Sequence, residues 1–244
     1  MPPRNLAPFR VVAYPRNRFL EEIWRYEPGE HVSIICPTKG GKTTLAYQLL
    51  ARTATKDLPA VVMVMKPRDK TVDQFTRRAG YRIVHEWPPP PSLMRPGKQP
   101  GYVLWPTFTD DLDGDDDRHA DIFRRALRRS YLKGNRIMFA DEVFSLQNEY
   151  GLRRDLERIW SKGRSMDTGL WGATQQPVNV SGMMYNQVQH LFLGHDPDER
   201  RQERFGEIGG VDPKQVQAIV QRLPLWQFLY IRREDRTMCV VLDK

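Results

Sequence analysis

The sequence predicts an α/β fold with a mostly parallel central sheet flanked by helices. Three observations lead there. Short apolar runs alternate with helix-length stretches from residue 31 onward, the pattern of strand–helix–strand units. The first run leads through a glycine-rich loop directly into a helix. The last two runs, parted by a charged turn, read as a β-hairpin that closes the chain.

The elements follow in order. Residues 31–37 are a short apolar strand ending in Pro37, and residues 42–53 read as a helix. "AVVMVMKP" (60–67) is a second, buried strand, followed by a helix over 71–78. "YRIVHEW" (81–87) and "GYVLWP" (101–106) are strands. "PPPPSLMRPGKQP" lies between them, and its prolines exclude both helix and inner strand. "TDDLDGDDD" reads as a solvated acidic loop before a helix over 117–133; its spacing lacks the first and last ligands of a calcium loop. In that helix Ile122, Phe123, Ala126, Leu127 and Tyr131 form an apolar face. Arg124, Arg125, Arg128 and Arg129 point away, as a solvated face or a subunit contact. "RIMFADEV" (136–143), "GLWGATQQ" (169–176) and "HLFLGH" (190–195) supply further strands. Residues 196–222 are a largely helical, lid-like segment, and 226–243 are the terminal hairpin. Residues 1–30 form an N-terminal arm, and 31–244 a single domain.

Composition narrows the function classes. With 244 residues, 40% hydrophobic and 28% charged, the chain can fill a core and remain soluble. No apolar run approaches the ~20 residues that span a bilayer, and the N-terminus lacks the apolar segment of a secretory signal. Cys36 and Cys239 are the only cysteines, which implies no disulfide framework and fits a reducing cytoplasm. The net charge of +8 favours a polyanionic partner such as nucleic acid, although a solubilising surface gives the same number.

The chemistry is carried by "CPTKGGKTT", residues 36–44. It sits where a phosphate-binding loop G-x-x-x-x-G-K-[ST] is expected, after a strand and before a helix. Gly41, Lys42 and Thr43 match the pattern, and Cys36 replaces its first glycine. Backbone N–H groups from Thr38 through Thr44, Lys39 and Gly40 included, would cradle phosphates at the helix N-terminus. Lys42 would reach the terminal phosphates of ATP, and Thr43 would place its hydroxyl on Mg²⁺. The first glycine brings no reactive group, so its loss weakens the match without removing chemistry. A deviant loop with a second lysine five residues upstream fails on spacing, because Lys39 precedes Lys42 by three.

Such a site requires acidic partners at the end of another strand. "IMFADE" supplies them: Asp141 would hold Mg²⁺ through water, and Glu142 would act as general base on the attacking water. The next strand ends "ATQQP", which puts Thr174 and Gln175 at the sheet's carboxyl edge, where α/β proteins bind ligands. A Gln175 amide there would report on the γ-phosphate. Trp24 or Tyr26, just before the first strand, are candidates to stack on adenine, although core packing is the commoner fate of such rings.

The string "KGRSMDTGLWGATQQP" (162–177), with "PTKGGKTT" and "FADE" in order before it, resembles the HerA–FtsK superfamily of DNA-translocating P-loop ATPases of the ASCE type. The resemblance covers residues 31 to about 195. It implies ATP hydrolysis with Mg²⁺ at the subunit interfaces of a pentameric or hexameric homo-oligomeric ring that moves double-stranded DNA. By that analogy Gln175 is the sensor and Arg164 the best candidate for an arginine finger in a neighbouring subunit's site. Arg153, Arg154 and Arg158 are its rivals. A bare motor of this size, without membrane segments, is most similar to viral genome-packaging ATPases, which implies the host cytoplasm and a portal or procapsid as partner. A plasmid or mobile-element transfer ATPase, or a nucleotide-binding regulatory protein that moves no DNA, are the alternatives. Lys66, Arg68 and Lys70, after the second strand, are candidates for phosphate contacts along a DNA channel, with a solvated loop as the competing reading.

Overall fold

The computed structural model describes residues 11–91 and 99–243. The missing-leader reading of residues 1–10 and the middle of the proline-rich connection, 92–98, lie outside them. The strands are β1 (Val12–Tyr14), β2 (Val32–Ile35), β3 (Ala60–Met63), β4 (Arg82–Val84), β5 (Gly101–Leu104), β6 (Arg136–Ala140), β7 (Thr168–Thr174), β8 (His190–Gly194), β9 (Phe228–Arg232) and β10 (Thr237–Val241). They form one sheet in the order β1-β10-β9-β8-β2-β7-β6-β3-β5-β4. Every neighbouring pair is parallel except the two that involve β9. The mostly parallel sheet and the closing hairpin are therefore as expected.

The helices are α1 (Arg16–Arg18), α2 (Lys42–Thr53), α3 (Lys70–Ala79), α4 (Leu112–Lys133), α5 (Arg153–Lys162), α6 (Met183–Asn186), α7 (Glu199–Gln202) and α8 (Pro213–Val220). They cover both faces. One core joins α2 and α3 to Phe19, Trp24 and the β2, β3 and β6 side chains Ile34, Val62 and Phe139. The other joins α4, α5, α6 and α8 to the opposite side chains of the same sheet, such as Ile35, Met63 and Met138. Burial on both faces explains why these strands read as unbroken apolar runs.

Two expectations are corrected. The acidic stretch is not a loop but the first turns of α4, which begins at Leu112. Asp111 caps it by accepting from Gly114 N, and Asp115 accepts from Thr109 N and Oγ1 at 2.5 and 2.9 Å. Carboxylates there face the positive end of the helix dipole, so the charge run favours a helix start. Nor are the α4 arginines only a solvated face. Arg128 and Arg158 hold the buried Asp155 of α5 at 2.8 and 3.2 Å, with Arg124 at 3.9 Å. They tie α4 to α5. The helical segment 196–222 is broken, with α7 followed by a 3₁₀ turn over Glu203–Glu207 before α8.

The N-terminal residues contribute more than an arm. β1 adds to β10 as an edge strand, and Arg16, although charged, is buried. Its guanidinium donates to Leu242 O, Gln48 Oε1 and Trp226 O.

Candidate active site

The parallel strands converge their carboxyl ends on one edge of the sheet. The loop after β2 runs into α2 with Gly41 as N-cap at φ 91°, and no side chain caps the helix. Its first-turn N–H groups thus have no side-chain partner, which makes this end a ready anion site. Lys39 is also left-handed, at φ 63°. Gly40 lies over Cys36, whose Sγ would stand 2.8 Å from a Cβ at that position. Cys36 itself is buried beneath the loop, and burial pushes its thiol up to about 11. It is a packing residue, and an unreactive one at neutral pH.

β7 lies between β2 and β6, and the registers decide what meets what. Ile35 is level with Thr174, and Ala140 with Gly172. The two residues after β6, Asp141 and Glu142, therefore stand beside the end of β7. Thr43 Oγ1 donates to Asp141 Oδ1 and Oδ2 at 2.9 and 3.0 Å. Thr174 Oγ1 donates to Glu142 Oε1 at 2.8 Å, and the Phe144 and Gln175 amides approach the same carboxylate at 3.3 and 3.4 Å. Thr38 Oγ1 donates to Gln175 Oε1 at 2.5 Å, which leaves the Gln175 NH₂ to donate to a phosphate oxygen. Lys42, Thr43, Asp141, Glu142 and Gln175 line one cavity of about 370 Å³.

The electrostatics suit an anionic ligand that carries a cation. Desolvation raises the Asp141 carboxyl above its usual value, offset in part by the Thr43 hydrogen bond and by Lys42 and Lys66. Desolvation likewise raises Glu142 against the Thr174 hydrogen bond and Lys42. A carboxylate with a raised pKa is a better base towards water. Among the described residues no group of three or more His, Cys, Asp or Glu could hold a metal alone. The hydroxyl of Thr43 and the adjacent Asp141 carboxylate do fit Mg²⁺, which takes one or two protein oxygens and completes its shell with water and phosphate. Bound there, the ion would neutralise charge on the terminal phosphates.

The other predicted residues separate by edge. Lys66, Arg68 and Lys70 are exposed on the site edge, after β3. Lys66 also lines the same cavity, and Trp105 Nε1 donates to its carbonyl at 2.7 Å. Thr44 is exposed at the start of α2. Arg164 lies at the opposite edge, between α5 and the start of β7, exposed and 3.7 Å from Glu234. It cannot reach the loop of its own chain. Of its rivals, Arg153 pairs with Glu157 and Arg158 with Asp155, while Arg154 is exposed. Trp24 is not an adenine platform. It is buried before β2, at the far edge, donates to Thr53 Oγ1 at 2.9 Å and packs on Trp171; Tyr26 packs on Trp171 as well.

The sequence reading named Thr38 and Thr174 but not their pairing with Gln175 and Glu142, and it missed Trp226, whose indole lies against Gly41. The two pairings depend on sheet order, which the sequence does not show. Trp226 is far away in sequence and carried no motif.

No family model matches the sequence, and no curated protein matches it. Solved structures do resemble it. The genome packaging NTPase B204 from Sulfolobus turreted icosahedral virus 2, in complex with AMP, has a TM-score of 0.61 at 13% identity, over 90% of this chain and 100% of that one. The same NTPase in complex with ATP-γS gives 0.58 at 14% identity, over 90% and 100%. VirB4 of Thermoanaerobacter pseudethanolicus gives 0.61 at 10% identity, over 87% and 89%. What is shared at such identities is the fold, and the resemblance expected from the motifs is met at that level.

Proposed function

We propose that the chain is an ATPase that moves double-stranded DNA, as the packaging motor of a viral genome. The observation that carries the reading is the meeting of Lys42, Thr43, Asp141, Glu142 and Gln175 at one cavity, brought there by three segments: the start of α2 and the ends of β6 and β7. The loop N–H groups and Lys42 bind phosphates. Glu142, oriented by the Thr174 hydroxyl, takes a proton from the attacking water, and Gln175, held by Thr38, senses the terminal phosphate. The fold shared with a genome packaging NTPase over 90% of the chain and the charge of +8 support DNA as the load.

Arg164, at the far edge, serves a neighbouring subunit of a homo-oligomeric ring. Lys66, Arg68 and Lys70 contact DNA phosphates, hence without sequence preference and less strongly in salt. A portal or procapsid is the docking partner, and the host cytoplasm the compartment.

The test is ATP turnover with and without double-stranded DNA, for wild type and Glu142→Gln. Wild type is expected to turn over faster with DNA. Glu142→Gln is expected to bind ATP and lose turnover by about 10²–10⁴. Turnover indifferent to DNA sinks translocation, and normal turnover by Glu142→Gln sinks the assignment of the base.

A further inference from the structure

We infer that Trp226 is the base-stacking wall of the nucleotide site, selecting purine nucleotides by ring area; this rests on the phosphate-grip reading above. The direction of the bound nucleotide follows from the site itself. Its terminal-phosphate end is marked by Thr43, Asp141 and Glu142, which lie on the β7 and β6 side of the loop strand β2. In the inferred pose the nucleoside end lies on the other side, over β8 and β9. Phe228, the first residue of β9, is level with Gly194, the last of β8. The turn before β9 therefore stands at the site edge, on that side.

Trp226 lies in this turn and reaches the loop. A Cβ on Gly41 would stand 2.8 Å from its Cε3, so the indole packs on the glycine at the root of the phosphate grip. Trp226 is still 43% exposed as a residue, and it is the one aromatic among the large exposed hydrophobic residues of the described chain. Other rings are taken. Tyr47 of α2 is buried and stacked on Phe75 at 4.3 Å, and Trp24 is at the far edge.

The backbone supports a placed ring rather than a loose one. Trp226 has φ 71°, a left-handed conformation that a bulky residue holds only when its surroundings impose it. Arg16 imposes it: its Nη2 donates to Trp226 O at 2.6 Å, and its Nη1 to Gln48 Oε1 at 3.0 Å on α2. The N-terminal segment thus clamps the tryptophan turn to the helix that follows the phosphate loop. An indole face offers area and no readout of base edges, so adenine and guanine should be held alike and pyrimidines less well.

The experiment measures affinities of ADP, CDP and pyrophosphate, each with Mg²⁺, for wild type, Trp226→Phe and Trp226→Gly. Glycine relieves the left-handed strain, so the fold is expected to survive, and a thermal melt checks it. Trp226→Gly is expected to bind ADP about 5- to 100-fold more weakly, CDP with a smaller loss, and pyrophosphate as wild type does. Trp226→Phe should fall between. An equal loss for ADP and pyrophosphate would make the tryptophan a mere prop for the loop, and no loss for ADP would remove it from the site; either overturns the inference. Wild type failing to bind pyrophosphate would instead overturn the phosphate-grip reading on which it rests.

Discussion

Glu142 illustrates what a single residue must reconcile. Its carboxylate is drawn out of water by the sheet edge, and the Thr174 hydroxyl and Lys42 only partly compensate. Because its folded pKa is raised above the ordinary 4.5, the native state holds a proton in a window where the unfolded chain has lost it. Stability from this group therefore falls as pH rises through that window. Glu142→Gln, which keeps the shape and an acceptor for Thr174, is expected to melt higher than wild type at neutral pH, by about 2–4 °C for each kcal/mol released. The gain should shrink as pH falls towards the carboxylate range. A lower melting temperature at neutral pH would mean that the ionised form is well held. Cys36 is the contrasting case, since a buried thiol under Gly40 does by packing what a glycine does by conformational freedom.

At the scale of elements, β8, β9 and the segment entering β2 are locked by a buried polar triad at the edge away from the site. His190 Nε2 meets Glu30 Oε2 at 2.9 Å, and its Nδ1 meets the Tyr230 hydroxyl at 2.9 Å. Glu30 and His190 are fully buried. Removing the histidine leaves the buried Glu30 carboxylate with the Glu27 amide as its hydrogen-bond donor, and breaking a buried pair of this kind costs about 3–5 kcal/mol. His190→Ala is expected to lose that much in denaturant unfolding, with the phosphate loop unchanged in sequence and far from the change. A loss below ~1 kcal/mol, within the range of a surface pair, would show that the triad does not hold the strands in register.

For the whole molecule, the sheet separates two functions by its two edges. The phosphate loop, Asp141, Glu142 and Gln175 lie at the carboxyl ends of the strands, and Arg164 lies where β7 begins. Under the function proposed above, Arg164 so placed acts on another subunit. Arg164→Ala should lose turnover by about 10³ or more, and Glu142→Gln by about 10²–10⁴. Rings assembled from a mixture of the two should regain part of it, because some sites then combine an intact base with a neighbour's intact arginine. No recovery on mixing would assign Arg164 a role within its own chain's fold, and Arg154, exposed on α5, would be tested next in the same way.

Much of this was determined along the chain. The strand–helix alternation, α2 over residues 42–53, the hairpin, and the loop with its Asp141–Glu142 and Gln175 partners depend on local pattern and on chemistry that needs few residue types. The extent of α4 was misread because a run of aspartates looks solvated until its place at a helix N-terminus is known. The tertiary structure alone decided the rest. Insertion of β7 between β2 and β6 brings Thr174 to Glu142 and Gln175 to Thr38, and β1 with Arg16 brings Trp226 to Gly41. Those contacts join residues as much as 210 apart, and sheet order, which no local period encodes, is what makes them neighbours.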